Sequence, residues 1–250
     1  MAKRSAAMPR ESMPAPGWAG LRHGTQSGAP TTIPYPPRRI ARKLAGMASA
    51  TGLFGGSFDP IHVGHLIIAR AVAEHVRLDR LIFLPSARPP HKDGHQLADP
   101  VHRAEMVRLA IDGEPGLALD DFDLQRTGPT YTIDTVDHFR SVLGPAAGLC
   151  WLIGADSLAE LPTWHRVTEL VDRCTVTTVA RPGRDKIDWP ALRKTFTDEQ
   201  IDRLRSGVVP APLIDVSATT IRHRIGEGRS IRYLVPDAVR DYIERHRLYR

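Results

Sequence analysis

From residue 51 onward, short apolar runs bounded by Gly, Pro or Asp alternate with longer stretches whose apolar residues recur at helical spacing. Thr51-Gly52-Leu53-Phe54, Arg80-Leu81-Ile82-Phe83-Leu84, Leu117 to Leu119, Leu149-Cys150-Trp151-Leu152-Ile153 and Cys174 to Ala180 read as buried strands, and Val208 to Val216 contains a sixth. Between the first two, Leu66-Ile67-Ile68-Ala69 and Ala71-Val72-Ala73 supply an apolar helical face. Asp99-Pro100 starts another helix, with Asp as cap and Pro in the first position, and Met106, Leu109, Ala110 and Ile111 form its apolar side. The spacing of Ile133, Val136, Phe139 and Leu143 predicts a helix over Tyr131 to Leu143. Ser217 suits the cap of a helix carrying Arg222. Pro236-Asp237 opens a last helix, with Arg245 and Arg247 where cations complement the dipole.

Strands joined by crossovers of this size pair in parallel. The expected fold is therefore α/β: a Rossmann-like, doubly wound parallel sheet with helices on both faces. In such sheets ligands lie beyond the carboxyl ends of the strands. Three distinctive segments follow strands and so converge on one cleft: Gly55-Gly56-Ser57-Phe58-Asp59-Pro60, the loop Arg88-Pro89-Pro90-His91-Lys92, and Gly154-Ala155-Asp156-Ser157.

Charge separates the chain into two parts. Residues 1–46 hold eight Lys or Arg against a single acid, Glu11, a net +7, together with seven of the 21 prolines and no apolar period. This leader is expected to be disordered. It faintly resembles an organelle transit peptide; the simpler reading is that translation starts at Met47. Residues 47–250 form the catalytic domain on this division. They carry 26 basic and 27 acidic residues, a net −1, which argues against a nucleic-acid-binding body. No apolar stretch reaches membrane-spanning length, and no secretory core is present. Cys150 and Cys174 sit in core-like runs, as reduced thiols of a cytoplasmic protein do.

The densest chemistry lies in Gly55-Gly56-Ser57-Phe58-Asp59-Pro60-Ile61-His62-Val63-Gly64-His65-Leu66. Strand, glycine turn and helix are expected to follow without a spare residue. Glycines allow close backbone approach, and a helix N-terminus attracts anions. His62 and His65, three apart, project from one helical face, and two imidazoles there can donate to a phosphate whose charge grows during reaction. An isolated pair at this spacing is more often two surface histidines. A metal pair is the other alternative, but no third ligand lies at an expected spacing. The GGSFDP segment directly upstream favours phosphate.

That stretch resembles the GG(S/T)FDPxHxGH signature of the nucleotidylyltransferase superfamily, and Val216-Ser217-Ala218-Thr219-Thr220-Ile221-Arg222 resembles its second motif, ISxTxIR, with Val leading. Within the superfamily, Pro85 to Lys92 looks like the PxxxPPHK loop of bacterial nicotinate-nucleotide adenylyltransferases. Pro129-Thr130-Tyr131-Thr132, Gly154-Ala155-Asp156-Ser157-Leu158, Leu161-Pro162-Thr163-Trp164, Arg181-Pro182-Gly183 and the carboxyl end from Leu234-Val235-Pro236 through Leu248-Tyr249-Arg250 are similar to further segments of that family. The resemblance covers residues 50 to 250. His165 stands where an aromatic such as Tyr is frequent, and Ala87 where Asn often is.

The resemblance implies adenylyl transfer from ATP to nicotinate mononucleotide, giving nicotinate adenine dinucleotide and pyrophosphate. It implies catalytic roles for His62, His65 and Arg222. ATP would be bound by Gly55, Gly56, Ser57, Phe58, Asp156, Ser217 and Thr219. The mononucleotide would be bound by Pro90, His91, Lys92, Thr130, Tyr131, Thr132, Trp164 and His165. Mg²⁺ would be held mainly by substrate phosphates, with no protein metal site. Two other readings stand beside it: an adenylyl- or cytidylyltransferase for another phosphorylated acceptor, and a nucleotide-binding regulator without catalysis. Oligomeric state is left open.

Overall fold

Side-chain alternation along parallel strands decides the architecture. In the computed structural model, which describes residues 50–87, 97–180 and 187–250, the expected strands form as β1 (Ala50–Gly56), β2 (Arg80–Pro85), β3 (Leu117–Leu119), β4 (Gly148–Gly154), β5 (Thr175–Ala180) and β6 (Val208–Pro210). They make one sheet in the order β3-β2-β1-β4-β5-β6 with every neighbouring pair parallel. The leader, the PPHK loop and Arg181-Pro182-Gly183 lie outside the described residues.

Each central strand feeds two cores. Leu81, Phe83, Cys150 and Leu152 point to one, and Leu53, Ile82, Leu84, Leu149, Trp151 and Ile153 to the other. Over the first face lie α1 (Val63–Val76), α2 (Pro100–Ala110), α9 (Ala218–Gly226) and α10 (Asp237–His246), contributing Val72, Met106, Ile221 and Val239. Over the second lie α4 (Thr132–Leu143), α5 (Ala155–Glu160), α6 (Val167–Arg173) and α8 (Asp198–Ser206), contributing Val136, Leu158, Leu170 and Ile201. Burying both faces needs strands that are apolar without interruption, which is why the sequence shows runs rather than alternation. The sheet is thus doubly wound, as expected. Among the described residues no helix is long and apolar enough to cross a membrane.

The caps act as the sequence suggests. The Asp99 carboxylate accepts from Val101 N at 2.8 Å, and Ser217 Oγ from Thr220 N at 3.1 Å. Two expectations are corrected. Gly55 and Gly56 are the last residues of β1 rather than a turn, because both still pair with β2. Helix α1 begins only at Val63, so Ser57 to His62 intervene as a connection. Several helices had no counterpart in the sequence reading: α3 (Phe122–Gln125), α5, α6, α7 (Trp189–Leu192) and α8. Most are too short for periodicity to show. Helix α8 did carry a readable sign, the Thr197/Gln200 capping box.

Candidate active site

Strand order reverses between β1 and β4, so a crevice opens where their carboxyl ends part. At the end of β1, Gly55 makes room for a neighbouring ring. A Cβ there would fall 2.6 and 2.8 Å from Cζ2 and Cη2 of Trp151, a buried ring on β4. Phe58 then turns the chain with φ +45°, unusual for a bulky residue, and is 1% exposed. Its ring packs edge-on against Phe54 and Phe83, both at 5.5 Å, and against His65 at 5.1 Å. Phe58 therefore supports His65 from beneath, and its side chain is closed to a ligand.

His62 is the N-cap of α1, and His65 lies one turn on. Their rings stack at 3.7 Å and 24°. His62 N donates to His65 Nδ1 at 3.3 Å, so the neutral His65 ring carries its proton on Nε2. Gly64 makes room for this stack: a Cβ would fall 3.0 Å from His62 Nδ1 and 3.4 Å from Ile214 Cγ2. The helix N-terminus contributes less than the sequence suggested. Val63 N is engaged by Leu234 O at 3.0 Å, so the side chains, more than the backbone donors, face a ligand here.

Helix α9 brings the second motif alongside. Arg222 Nη1 donates to Asp59 O at 2.7 Å and lies 3.7 Å from Asp59 Oδ2, while Nη2 reaches Thr219 Oγ1 at 3.4 Å. Ser217, at the N-cap of α9, and Thr219 are exposed. Arg222 and the His62–Gly64–His65 turn are thus tied through the Asp59 connection. Sequence reasoning missed the frame beneath. Arg103, wholly buried on α2, donates through Nη1 to Ser57 O (2.7 Å) and through Nε to Ala98 O (2.9 Å). Burial lowers its pKa, and Asp59 opposes that. Asp59 lies inside the recognised motif, but no sequence signal marks Arg103, since arginine is rarely fully buried.

A second group lies over the other face. Tyr131 precedes α4, and Trp164 and His165 follow the 3₁₀ turn Leu161–Thr163. The Tyr131 and His165 rings lie 4.3 Å apart at 30°, and Tyr131 and Trp164 both pack on the second core. Thr130 is 8% exposed. Its Oγ1 and Trp164 Nε1 are buried without a hydrogen-bond partner among the described residues, an expensive arrangement unless a ligand completes it. Thr132, half-buried, begins α4, and Asp156 is exposed in the first turn of α5, beyond β4. Close by in sequence, Asp123 is buried and its pKa is pushed up to about 6 by desolvation, against a hydrogen bond from Thr135 Oγ1 at 2.7 Å and the nearby Arg126. Pro90, His91 and Lys92 fall outside the described residues.

Comparison with known proteins shows the family. Residues 53–224 match the cytidylyltransferase-like family. A Thermomicrobium roseum protein named as a probable nicotinate-nucleotide adenylyltransferase is 43% identical over 202 residues, covering 81% of this chain and 92% of its own. A Pseudomonas aeruginosa protein of the same name is 43% identical over 213 residues, covering 82% of this chain and 99% of its own. The structure of Plasmodium falciparum nicotinic acid mononucleotide adenylyltransferase complexed with NaAD is similar in fold, with a TM-score of 0.61 at 19% identity, covering 80% of this chain and 97% of that one.

Proposed function

We infer the activity from family and geometry together: the chain belongs to the cytidylyltransferase-like family, among the nicotinate-nucleotide adenylyltransferases, and transfers the adenylyl group of ATP to nicotinate mononucleotide in NAD biosynthesis. The observation that carries the chemistry is the His62–His65 stack joined through Asp59 to Arg222.

The mononucleotide's phosphate oxygen attacks the α-phosphorus of ATP in line. One P–O bond forms to that oxygen, the bond to the β-phosphate bridge breaks, and pyrophosphate leaves with the electron pair. The nucleophile is already anionic near neutral pH, so the protein supplies position and charge stabilisation rather than a base. His65 Nε2–H, with its tautomer set by the His62 backbone, donates to the phosphates beside His62, where charge grows in the transition state. Arg222, with Ser217 and Thr219, holds the β- and γ-phosphates from the opposite wall. Gly55, Gly56 and Ser57 line the α-phosphate and ribose. Phe58 contributes only by seating the His65 ring. Asp156 accepts from a ribose hydroxyl.

The acceptor's pyridine ring lies against Trp164, His165 and the Thr130–Tyr131–Thr132 segment; Pro90, His91 and Lys92 are assigned to the same substrate by the family resemblance alone. Trp164 Nε1 is a donor only: it can pair with either oxygen of a carboxylate but with only one end of a carboxamide, its carbonyl, and gives the NH₂ no acceptor. That supports the acid over the amide as substrate. Mg²⁺ fits this site as a passenger on the triphosphate. The phosphate side presents imidazole, guanidinium and hydroxyl groups, and the carboxylate nearest them, Asp59, is 1% exposed, with Oδ1 taken by Tyr249 and the Ala98 amide. When bound, the ion neutralises phosphate charge through the substrate's own oxygens. Residues 47–250 constitute the catalytic domain in this reading, and 1–46 a leader that takes no part.

Mass-spectrometric product analysis tests the reading. Purified protein with MgATP and nicotinate mononucleotide should yield nicotinate adenine dinucleotide and pyrophosphate in equal amounts. Adenylation of phosphopantetheine instead, or ATP binding without any transfer, would refute it in favour of another acceptor or a regulator.

A further inference from the structure

Arg222 is held in a specific balance. Asp59, 1% exposed, offers its carbonyl to Arg222 Nη1 at 2.7 Å, yet its Oδ2 stays 3.7 Å from the same nitrogen. A buried carboxylate beside a guanidinium ordinarily closes to a short, often bidentate pair. Here its other oxygen is taken: Tyr249 OH donates to Oδ1 at 2.7 Å and Ala98 N at 3.2 Å. Tyr249 follows α10 and reaches Asp59 across 190 positions of sequence. It does so with φ +64°, one of two left-handed residues, with Arg247 at +52°, that turn the chain back onto the first core. A tyrosine held in that conformation needs compensating contacts. Burial, and then the Asp59 carboxylate, raise its pKa, so the hydroxyl remains a donor.

We propose that Tyr249 is a positioning residue for triphosphate binding: by holding Asp59 Oδ1, its hydroxyl keeps the carboxylate from swinging onto Arg222 and so leaves the guanidinium, with Thr219, aimed into the cleft. The proposal rests on the phosphate role given to Arg222 above. Without the hydroxyl, Oδ1 retains only the Ala98 amide. Asp59 then turns both oxygens to Arg222, and the guanidinium is drawn away from the nucleotide. The change leaves ring packing intact and exchanges one charged hydrogen bond for another inside the protein, so the cost falls on the ligand and not on the fold.

The test is a double-mutant cycle read by calorimetry of MgATP binding to the full chain: wild type, Tyr249→Phe, Arg222→Gln, and both together. Removing a hydrogen bond to a charged group weakens an interaction by about tenfold or more. Tyr249→Phe should therefore weaken MgATP binding about tenfold with Arg222 present, and by less than about twofold in the Arg222→Gln background, with the melting temperature unchanged. Equal losses in both backgrounds would mark Tyr249 as merely structural, and no loss in either would remove it from the site; each overturns the proposal. MgATP binding does not depend on the acceptor. A protein that binds MgATP but makes no nicotinate dinucleotide would refute the acceptor assignment alone, and a wild-type protein that fails to bind MgATP would refute both.

Discussion

Gly64→Ala sets helix stability against catalytic geometry. Alanine is the better helix former by about 0.5–1 kcal/mol, so propensity alone would make the variant more stable. The new methyl, however, would arrive 3.0 Å from His62 Nδ1, 3.1 Å from its Cε1 and 3.4 Å from Ile214 Cγ2. Ordinary contact needs a few tenths of an ångström more on the His62 side, whereas the approach to Ile214 is already at the edge of normal contact. The His62 ring cannot retreat towards His65, which already stacks on it at 3.7 Å, so it must rotate or lift. A misplacement of about 1 Å costs about 10²-fold in rate, so a few tenths should cost about tenfold. We expect kcat/KM with MgATP and nicotinate mononucleotide to fall about tenfold, while the melting temperature stays within about 3 °C of wild type. Continuous pyrophosphate release measures the first and calorimetry the second. Full activity at unchanged stability would refute the idea that the stack's placement matters. A collapse in stability would show that the helix start, and not the imidazoles, requires glycine.

His65→Ala should leave folding intact and lower kcat by about 10²–10³, the loss typical of one donor aimed at developing phosphate or oxyanion charge; wild-type turnover would remove the histidine from the chemistry. Trp164→Leu should raise KM for the mononucleotide about tenfold or more through lost stacking and leave KM for ATP unchanged, and an equal rise in both would contradict the separation of the two groups. Asp123→Asn tests burial of charge. A carboxyl raised in the folded state to about 6 from 3.8 holds its proton more tightly when folded, so its contribution to stability is fully present at low pH and is lost as pH rises from about 4 through 6. The variant should therefore match wild type near pH 4 and exceed it by up to roughly 3 kcal/mol above pH 7 in denaturant titrations; a difference that does not vary with pH would refute the assignment. Removing residues 1–46 should leave activity and melting temperature unchanged, because a segment without apolar periodicity has little to add to a core; a large loss of either would mean that it packs on the catalytic domain.

The strands were legible because a doubly covered sheet needs unbroken apolar runs, and Leu81 to Leu84 and Leu149 to Ile153 divide cleanly between the two cores. The side proposed to hold phosphate could be picked out because its side chains are adjacent in sequence: His62, Gly64 and His65 occupy one turn, and Ser217, Thr219 and Arg222 another. What holds those turns in place could not. Arg103 reaches Ser57, and Tyr249 reaches Asp59, only after the chain has folded, across 46 and 190 positions, and no local period announces a contact of that range. Phe58 shows the complementary gap. The motif places it among ligand contacts, while the structure buries it under His65, a distinction that depends on one left-handed φ. The extent of β1 through both glycines escaped for a similar reason, since Gly is a poor strand former and only pairing with β2 keeps it extended.

On the proposed function, this cleft joins ATP to the acid form of the mononucleotide, read by donors beside the pyridine ring. The most direct measurement is kcat/KM for nicotinate mononucleotide and for nicotinamide mononucleotide on the same preparation with MgATP. Groups that differ only in hydrogen-bonding character are separated by about 10²-fold or more at a site built on donors, so a preference of at least that size for the acid is expected. Equal values, or a preference for the amide, would contradict it.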